Sequence, residues 1–378
     1  MVTPSVTRLV ISGYYGFRNS GDEAVLKSIL TALEEESARA GIRIEPVVLS
    51  IDPEWTTSMY GVQAVHRMKL GEVRRALKDS DGLISGGGSL LQDATGMTTI
   101  PYYLGIIKIA QWLGKPTFIY AQGIGPVNKG FFHPLIRGVF RKCSYISVRD
   151  NESAGLLGTM GLSRDKIEVV PDPVMGLPLP EGMEMTGASG QNGQDLPVVG
   201  ISVRYWNTER KELTQLAAGL TALASFMPVH FRFLPFHIPG DDEASRYVIE
   251  RMEGVTAPGS IISVAPETVD PQEMLAEVSR CQALIGMRLH SLIYAASQRV
   301  PLIGISYDPK IDHFLARLGS VPVGTSDQLD PQIVASELRG LLLDGESWRS
   351  RNASRIDTLK QEARQPAERI AEFFKNRG

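Results

Sequence analysis

Residues 9–33 allow very few local architectures. Residues 9–12 (LVIS) form an apolar run that reads as a β-strand, and glycines follow at 13, 16 and 21. From Asp22 onward a second pattern begins: Val25, Leu26, Ile29, Leu30 and Leu33 recur at the spacing of one helix face. Ser20 and Glu23 stand three apart just before that run, the spacing of a capping box. The unit is therefore strand, glycine-rich turn, capped helix. In an open α/β sheet such turns lie at the carboxyl edge of the strands, where ligands bind. A turn that only needs left-handed residues has no use for polar chemistry, yet Asn19, Asp22 and Glu23 crowd into this one. The spacing Gly13-x-x-Gly16-x-x-x-x-Gly21 is not the dinucleotide pattern G-x-G-x-x-G, although Asp52 ends the next strand. A P-loop has Lys after its last glycine, where this chain has Asp22. A carboxylate there repels phosphate, so the loop suits sugar hydroxyls or base catalysis better.

The alternation continues along the chain. Strand patterns at 46–51, 82–85, 117–121 and 144–148 alternate with helical patterns at 70–78, 102–113 and from 132, with a short extended piece at 61–66. The strand at 82–85 runs into Gly86-Gly87-Gly88, which lets backbone approach a ligand or lets helix and sheet pack closely. Ser89 and Gln92 repeat the capping-box spacing, and Gln122 to Pro126 forms a third glycine turn at the same edge. Short connections between alternating strands and helices mean a parallel, doubly wound sheet. Residues 181–197 are rich in Gly, Ser, Gln and Asn and lack apolar periodicity, which reads as a linker. A second α/β series follows. The expected organisation is an N-terminal domain at 1–180, the linker at 181–197, a C-terminal domain at 198–346 and a terminal helix at 347–378.

A length of 378 residues suits two domains, and 43% hydrophobic residues suffice for their cores. Lys and Arg number 39 against 42 Asp and Glu, so no global charge steers the chain toward nucleic acid. The two cysteines, Cys143 and Cys281, make no disulfide framework and are expected to be buried thiols. The N-terminus lacks a signal-peptide core, and no apolar run reaches roughly 18 residues. A soluble protein of a reducing compartment is expected.

Arg149, Arg204, Arg288, His290 and Lys310 each fall just after a strand, where a parallel sheet presents side chains to ligands. His290 and Ser291 also open a helix, whose dipole and free N–H groups favour an anion. Five cations at equivalent edges point to a small, highly charged substrate. A structural ion-pair network with Asp172, Asp241 and Asp242 is the competing reading.

The segments GYYGFRNSGDEA, LISGGGSLLQD, AQGIGP, SVRDNES, VPDPV, GMRLHSLIYAA and ISYDPK together resemble the polysaccharide pyruvyl transferase family, in particular its enzymes of bacterial secondary cell-wall polymer synthesis. The resemblance runs from residue 9 to about 316 and is thin over 181–197 and 240–280. It implies an α/β fold with two Rossmann-like domains facing a cleft, in a B-type glycosyltransferase-like (GT-B) architecture. It also implies phosphoenolpyruvate as donor and an N-acetylmannosamine unit on a lipid-linked precursor as acceptor. The product is a 4,6-ketal of pyruvate, which serves S-layer anchoring. On this reading Arg149, Arg204, Arg288, His290, Ser291 and Lys310 bind the donor. Tyr14, Asn19, Asp22, Glu23, Gln92 and Asp93 line the acceptor side, with Asp22 or Asp93 deprotonating a hydroxyl. Catalysis falls to His290, Lys310, Asp22 and Arg204, with no metal and no redox cofactor.

A sugar-nucleotide glycosyltransferase would share the fold, with Glu243, Tyr205 and Trp206 available for ribose and base. A nicotinamide-dependent oxidoreductase is disfavoured by the glycine spacing, and a non-catalytic glycan-binding module would not need five cations. The expected location is the cytoplasm, with peripheral contact at the inner face of the membrane as a further expectation. For that contact Phe132, Leu135, Ile136, Val139 and Phe140 form one helical face among Lys129, Arg137, Arg141 and Lys142. The favoured reading of the same helix is an ordinary layer over the sheet with its apolar face in the core, since a doubly wound domain needs such helices.

Overall fold

Alternating apolar strands and amphipathic helices build two separate parallel sheets. The computed structural model describes residues 6–94, 96–180, 182, 196–252 and 259–377. It divides into a first unit, Met1–Leu177 with Leu359–Gly378, and a second unit, Pro178–Thr358.

In the first unit the chain runs β1 (Val6–Tyr15), α1 (Ser20–Ala40), β2 (Arg43–Ser50), α2 (Pro53–Tyr60), β3 (Gln63–His66), α3 (Leu70–Lys78), β4 (Gly82–Gly86), α4 (Thr99–Trp112), β5 (Thr117–Gln122), α5 (Phe132–Phe140), β6 (Tyr145–Val148), α6 (Asn151–Thr159) and β7 (Glu168–Val169). The strands lie in the order β3-β2-β1-β4-β5-β6-β7. Winding therefore reverses between β1 and β4, where the pairing runs from Leu9↔Gly82 to Ser12↔Ser85. Every residue of β4 and β5 is buried, as expected of strands covered on both faces.

The second unit repeats the plan with β8 (Val198–Ser202), α7 (Lys211–Phe226), β9 (His230–Phe233), α8 (Gly240–Ile249), β10 (Ile261–Val264), α9 (Pro271–Ser279), β11 (Ala283–Gly286), α10 (Leu289–Ser297), β12 (Leu302–Ser306), α11 (Pro309–Arg317), β13 (Gly324–Thr325) and α12 (Pro331–Leu343). Its order is β10-β9-β8-β11-β12-β13, so the reversal falls between β8 and β11. The last helix, α13 (Gly345–Lys375), belongs from Leu359 onward to the first unit. There Phe373 and Phe374 lie 5.0 and 5.7 Å from the Phe118 ring, and Arg364 pairs with Glu35 at 2.9 Å. Most of the expected linker lies outside the described residues.

Local chemistry departs from the sequence reading at several points. Asn19, not Ser20, caps α1, accepting from Gly21 N at 3.1 Å. Glu23 does not close a capping box but reaches back to the loop. Ser89 and Gln92 start no helix: the Gln92 amide oxygen accepts from Ala94 N at 2.8 Å, and α4 begins at Thr99. Asp52 is the N-cap of α2, a helix the sequence reading did not foresee, and accepts from Trp55 N at 3.1 Å. On α5, Phe132, Ile136, Val139 and Phe140 are buried in the core, while Leu135, and Phe131 just before the helix, are exposed.

Candidate active site

The carboxyl edge of β1 and β4 gathers the polar groups of the first unit. Gly16, at φ +82°, turns the chain where a Cβ would sit 2.1 Å from the Ser50 hydroxyl. The Glu23 carboxylate accepts from Gly16 N (2.9 Å), Arg18 N (3.3 Å) and the Tyr60 hydroxyl (2.8 Å). Burial raises the pKa of Glu23, and these hydrogen bonds oppose the rise. Glu23 and the cap Asn19 thus hold the loop, and what the loop presents is Asp22. Asp22 keeps some exposure but is ringed by protein atoms, and its Oδ1 lies 3.0 Å from where a Gly88 Cβ would stand. Burial and the neighbouring Glu23 push its pKa up to about 7; Arg149 and Arg67 pull it down, and Asp172 pushes it up. A carboxyl group poised near neutrality is suited to proton transfer.

Arg149, after β6, reaches over Gly123, donates to the Ser89 hydroxyl at 2.7 Å and lies 3.6 Å from both Asp150 and Asp172. It shares the first unit with Asp22. Tyr14 and Phe17 stack with centroids 3.9 Å apart and planes within 5°, and both rings are exposed. At the edge of that stack lies Arg67, a buried cation that the sequence did not single out, with Cζ 5.8 and 5.5 Å from the two centroids. It follows β3 and so obeys the same strand-edge rule as the other cations, but that strand was too short to stand out.

Besides Asn19 and Glu23, two more of the expected acceptor groups are committed to loop backbone. Asp93 was expected beside the sugar and as an alternative base. Its oxygens instead accept from Asn128 N (2.9 Å), Asn128 Nδ2 (3.0 Å) and Lys129 N (2.8 Å), and these bonds hold its pKa below the usual carboxylate range. It is a loop clamp and a poor base. Gln92 likewise bonds its own loop.

In the second unit the neighbouring ends of β8, β11 and β12 carry Arg204, Arg288 with His290, and Lys310. Arg204 donates to the Tyr307 hydroxyl at 3.0 Å and faces the rings of Tyr307 and Trp206 at 4.9 and 5.4 Å. No carboxylate pairs with it among the described residues. Arg288 is different. Its Nε lies 3.1 and 3.0 Å from the two oxygens of buried Asp241, and its Nη2 also bonds that carboxylate. Asp241 in turn accepts from Phe236 N and His237 N at 3.1 and 3.0 Å. This pair has the form of the structural reading, with Nη1 of Arg288 left outside it. Ser291 is buried and donates to Arg288 O at 2.7 Å, so its hydroxyl is spent on the turn into α10. His290 lies in the first turn of α10. Lys310 is exposed in the first turn of α11, with Nζ 3.8 Å from Asp308.

Two parallel sheets, wound in the orders 3-2-1-4-5-6-7 and 3-2-1-4-5-6 and each bearing charged groups at its reversal point, define an α/β protein of B-type glycosyltransferase architecture. Solved structures share that fold. A glycosyltransferase from Rickettsia africae superposes with a TM-score of 0.64 at 11% identity, covering 99% of this chain and 98% of its own. The Anabaena protein HepE in complex with UDP and glucose gives 0.61 at 11%, covering 98% and 100%. The UDP-GlcNAc 2-epimerase of Neisseria meningitidis bound to UDP-GlcNAc gives 0.59 at 12%, covering 97% and 100%. Chemistry is set by a different similarity. The polysaccharide pyruvyl transferase family matches residues 19–309, and the chain belongs to that family. It is a transferase of pyruvyl groups in polysaccharide biosynthesis.

Proposed function

We propose that the enzyme transfers pyruvate from phosphoenolpyruvate to two hydroxyls of an N-acetylmannosamine unit on a lipid-linked cell-wall precursor, forming a 4,6-ketal and releasing phosphate. The observation that carries this reading is the set of cationic groups on three adjacent strand ends of the second unit. Arg204, Arg288 Nη1, His290 and Lys310 suit a donor with a carboxylate and a phosphate on one carbon. In the reaction the donor methylene gains a proton and one sugar hydroxyl bonds to the central carbon. Phosphate then leaves, and the second hydroxyl closes the ketal. One hydroxyl proton ends on the new methyl group and the other on phosphate, so the step balances without a metal or redox cofactor. His290 or Lys310 serves as acid, Arg204 stabilises the developing charge, and Asp22 takes the hydroxyl proton.

A second reading, sugar-nucleotide glycosyl transfer, is favoured by Trp206, which is half exposed beside Arg204 and offers a face for a base. Incubation with phosphoenolpyruvate and an N-acetylmannosamine acceptor, read by phosphate release and product mass, separates the two. Phosphate release without UDP-sugar binding in calorimetry supports ketal formation; the reverse supports glycosyl transfer. In the same assay His290→Ala should lose about a hundredfold in rate with its melting temperature preserved. Wild-type turnover in that variant would remove His290 from the chemistry.

The lipid-linked acceptor further requires contact with a bilayer surface. We place that contact at Phe131 and Leu135 with Lys129, Arg137, Arg141 and Lys142 around them.

A further inference from the structure

Arg67 is buried, 6% exposed, and no carboxylate lies within ion-pair distance of it among the described residues. Its guanidinium is instead held by the Gly13 carbonyl at 2.8 Å and the Tyr103 hydroxyl at 3.2 Å. Its own carbonyl accepts from the Tyr102 hydroxyl at 3.0 Å. Four rings surround the charge, with Cζ 4.6 Å from Tyr102, 5.5 Å from Tyr103, 5.5 Å from Phe17 and 5.8 Å from Tyr14. A core that needed only filling would hold an apolar side chain here, because a buried cation loses its hydration. Two of the four rings, Tyr14 and Phe17, form the exposed stack at the start of the loop that leads to Asp22.

We propose that Arg67 is a positioning residue of the acceptor site, fixing the Tyr14–Phe17 plate on which the apolar face of a sugar ring lies and supplying a positive charge toward Asp22. This rests on the pyruvyl-transfer reading only for the identity of the sugar. With Cζ nearly equidistant from the Tyr14 and Phe17 centroids, the guanidinium lies against the edge of the stack and its planar fork braces both rings at once, which a lysine ammonium does not. The groups facing Asp22 are Glu23 on α1, Tyr15 on β1, Tyr103 on α4, Arg149 after β6, Asp172, and Arg67 after β3. Two of them are cations. Removing Arg67 leaves Arg149 as the one cation against two carboxylates.

Arg67→Lys and Arg67→Met divide the two roles. Arg67→Lys keeps the charge and should raise the acceptor KM about tenfold, with the donor KM unchanged. Arg67→Met should do the same and also move the acid limb of the kcat/KM profile to higher pH. Carbon NMR of aspartate-labelled protein, with Asp22 assigned through Asp22→Asn, reads that titration without any turnover. If the wild type does not use phosphoenolpyruvate, the function reading fails while the titration still tests Arg67. A folded Arg67→Met protein with the Asp22 midpoint and acceptor KM of wild type overturns the proposal, leaving Arg67 a core stitch. Should Arg67→Met not fold, an unchanged acceptor KM in Arg67→Lys overturns it alone.

Discussion

Asp22 links stability to chemistry through a single proton. Its folded pKa of about 7 lies above the usual carboxylate value. Between about pH 4 and pH 7 the folded state therefore holds a proton that the unfolded chain has released. Stability contributed here is present below that window and lost as pH rises through it. Asp22→Asn should consequently melt higher than wild type at about pH 8 and converge toward it near pH 4. The activity change runs the other way. If the carboxylate takes a hydroxyl proton, wild-type kcat/KM falls on the acid side with an apparent pKa near 7, and the Asn variant is slow throughout. A variant that is both less stable at high pH and fully active would remove Asp22 from the site. The sequence made Asp22 conspicuous because it stands where a P-loop has lysine. The commitments of Asn19, Glu23, Gln92 and Asp93 were hidden, since polar residues of one loop look alike until the backbone shows which N–H groups need them. Arg288 and Asp241 were both visible, but their pairing spans 47 residues.

At the scale of elements, the triple glycine at the end of β4 shows how packing and site share one stretch. Gly87 has φ +61°, and a Cβ there would stand 1.8 Å from Cγ1 of Val25 on α1. Gly86 would meet Ile29 at 2.9 Å, whereas Gly88 meets the Asp22 carboxylate. The first two glycines thus let α1 lie down on β4, and the third brings backbone to the candidate base. Close packing of helix on sheet accounts for Gly86 and Gly87, while Gly88 is kept open against the Asp22 carboxylate. Gly87→Ala should destabilise the first unit by about 3 kcal/mol or more, from strain and overpacking together, as measured by urea unfolding. Gly88→Ala has less to displace and should mainly perturb the Asp22 titration. Most strands and long helices were legible because parallel strands are continuous apolar runs and helices repeat at 3.6. The helix α2 was not, for its eight residues bury only Thr56 and carry no apolar stripe; its one signal is Asp52 followed by Pro53.

Across the whole chain the family match, 19–309, crosses both units, so the two sheets belong to one enzyme. The succession of two α/β series was readable from alternating patterns, whereas the order of strands within each sheet comes from the fold. The return of the chain end to the first unit was not, because α13 is amphipathic along its length and nothing local says which sheet it covers. Among the described residues no helix is long and apolar enough to cross a membrane. On the proposed reading the acceptor is lipid-linked, and contact with its bilayer is assigned to surface side chains. The expected apolar face of α5 is core: Phe132, Ile136, Val139 and Phe140 are all buried. What remains outside is Phe131 at 55% exposure and Leu135 at 54%, with Lys129, Arg141 and Lys142 exposed nearby. Basic residues near an anionic leaflet contribute about 1 kcal/mol each, and two apolar side chains add a shallow anchor. Wild-type protein should therefore sediment with anionic vesicles at low salt and be released as salt rises. Phe131→Ser with Leu135→Ser should weaken the salt-resistant part of that binding. Changing Lys129, Arg137, Arg141 and Lys142 to Gln should remove the salt-sensitive part. Both variants should retain activity on a soluble acceptor, because none of the changed residues belongs to the loop that carries Asp22 or to the segments that carry Arg204, Arg288, His290 and Lys310. If wild-type protein stays in the supernatant at low salt, α5 is a packing helix and the acceptor must be brought to the enzyme by other means.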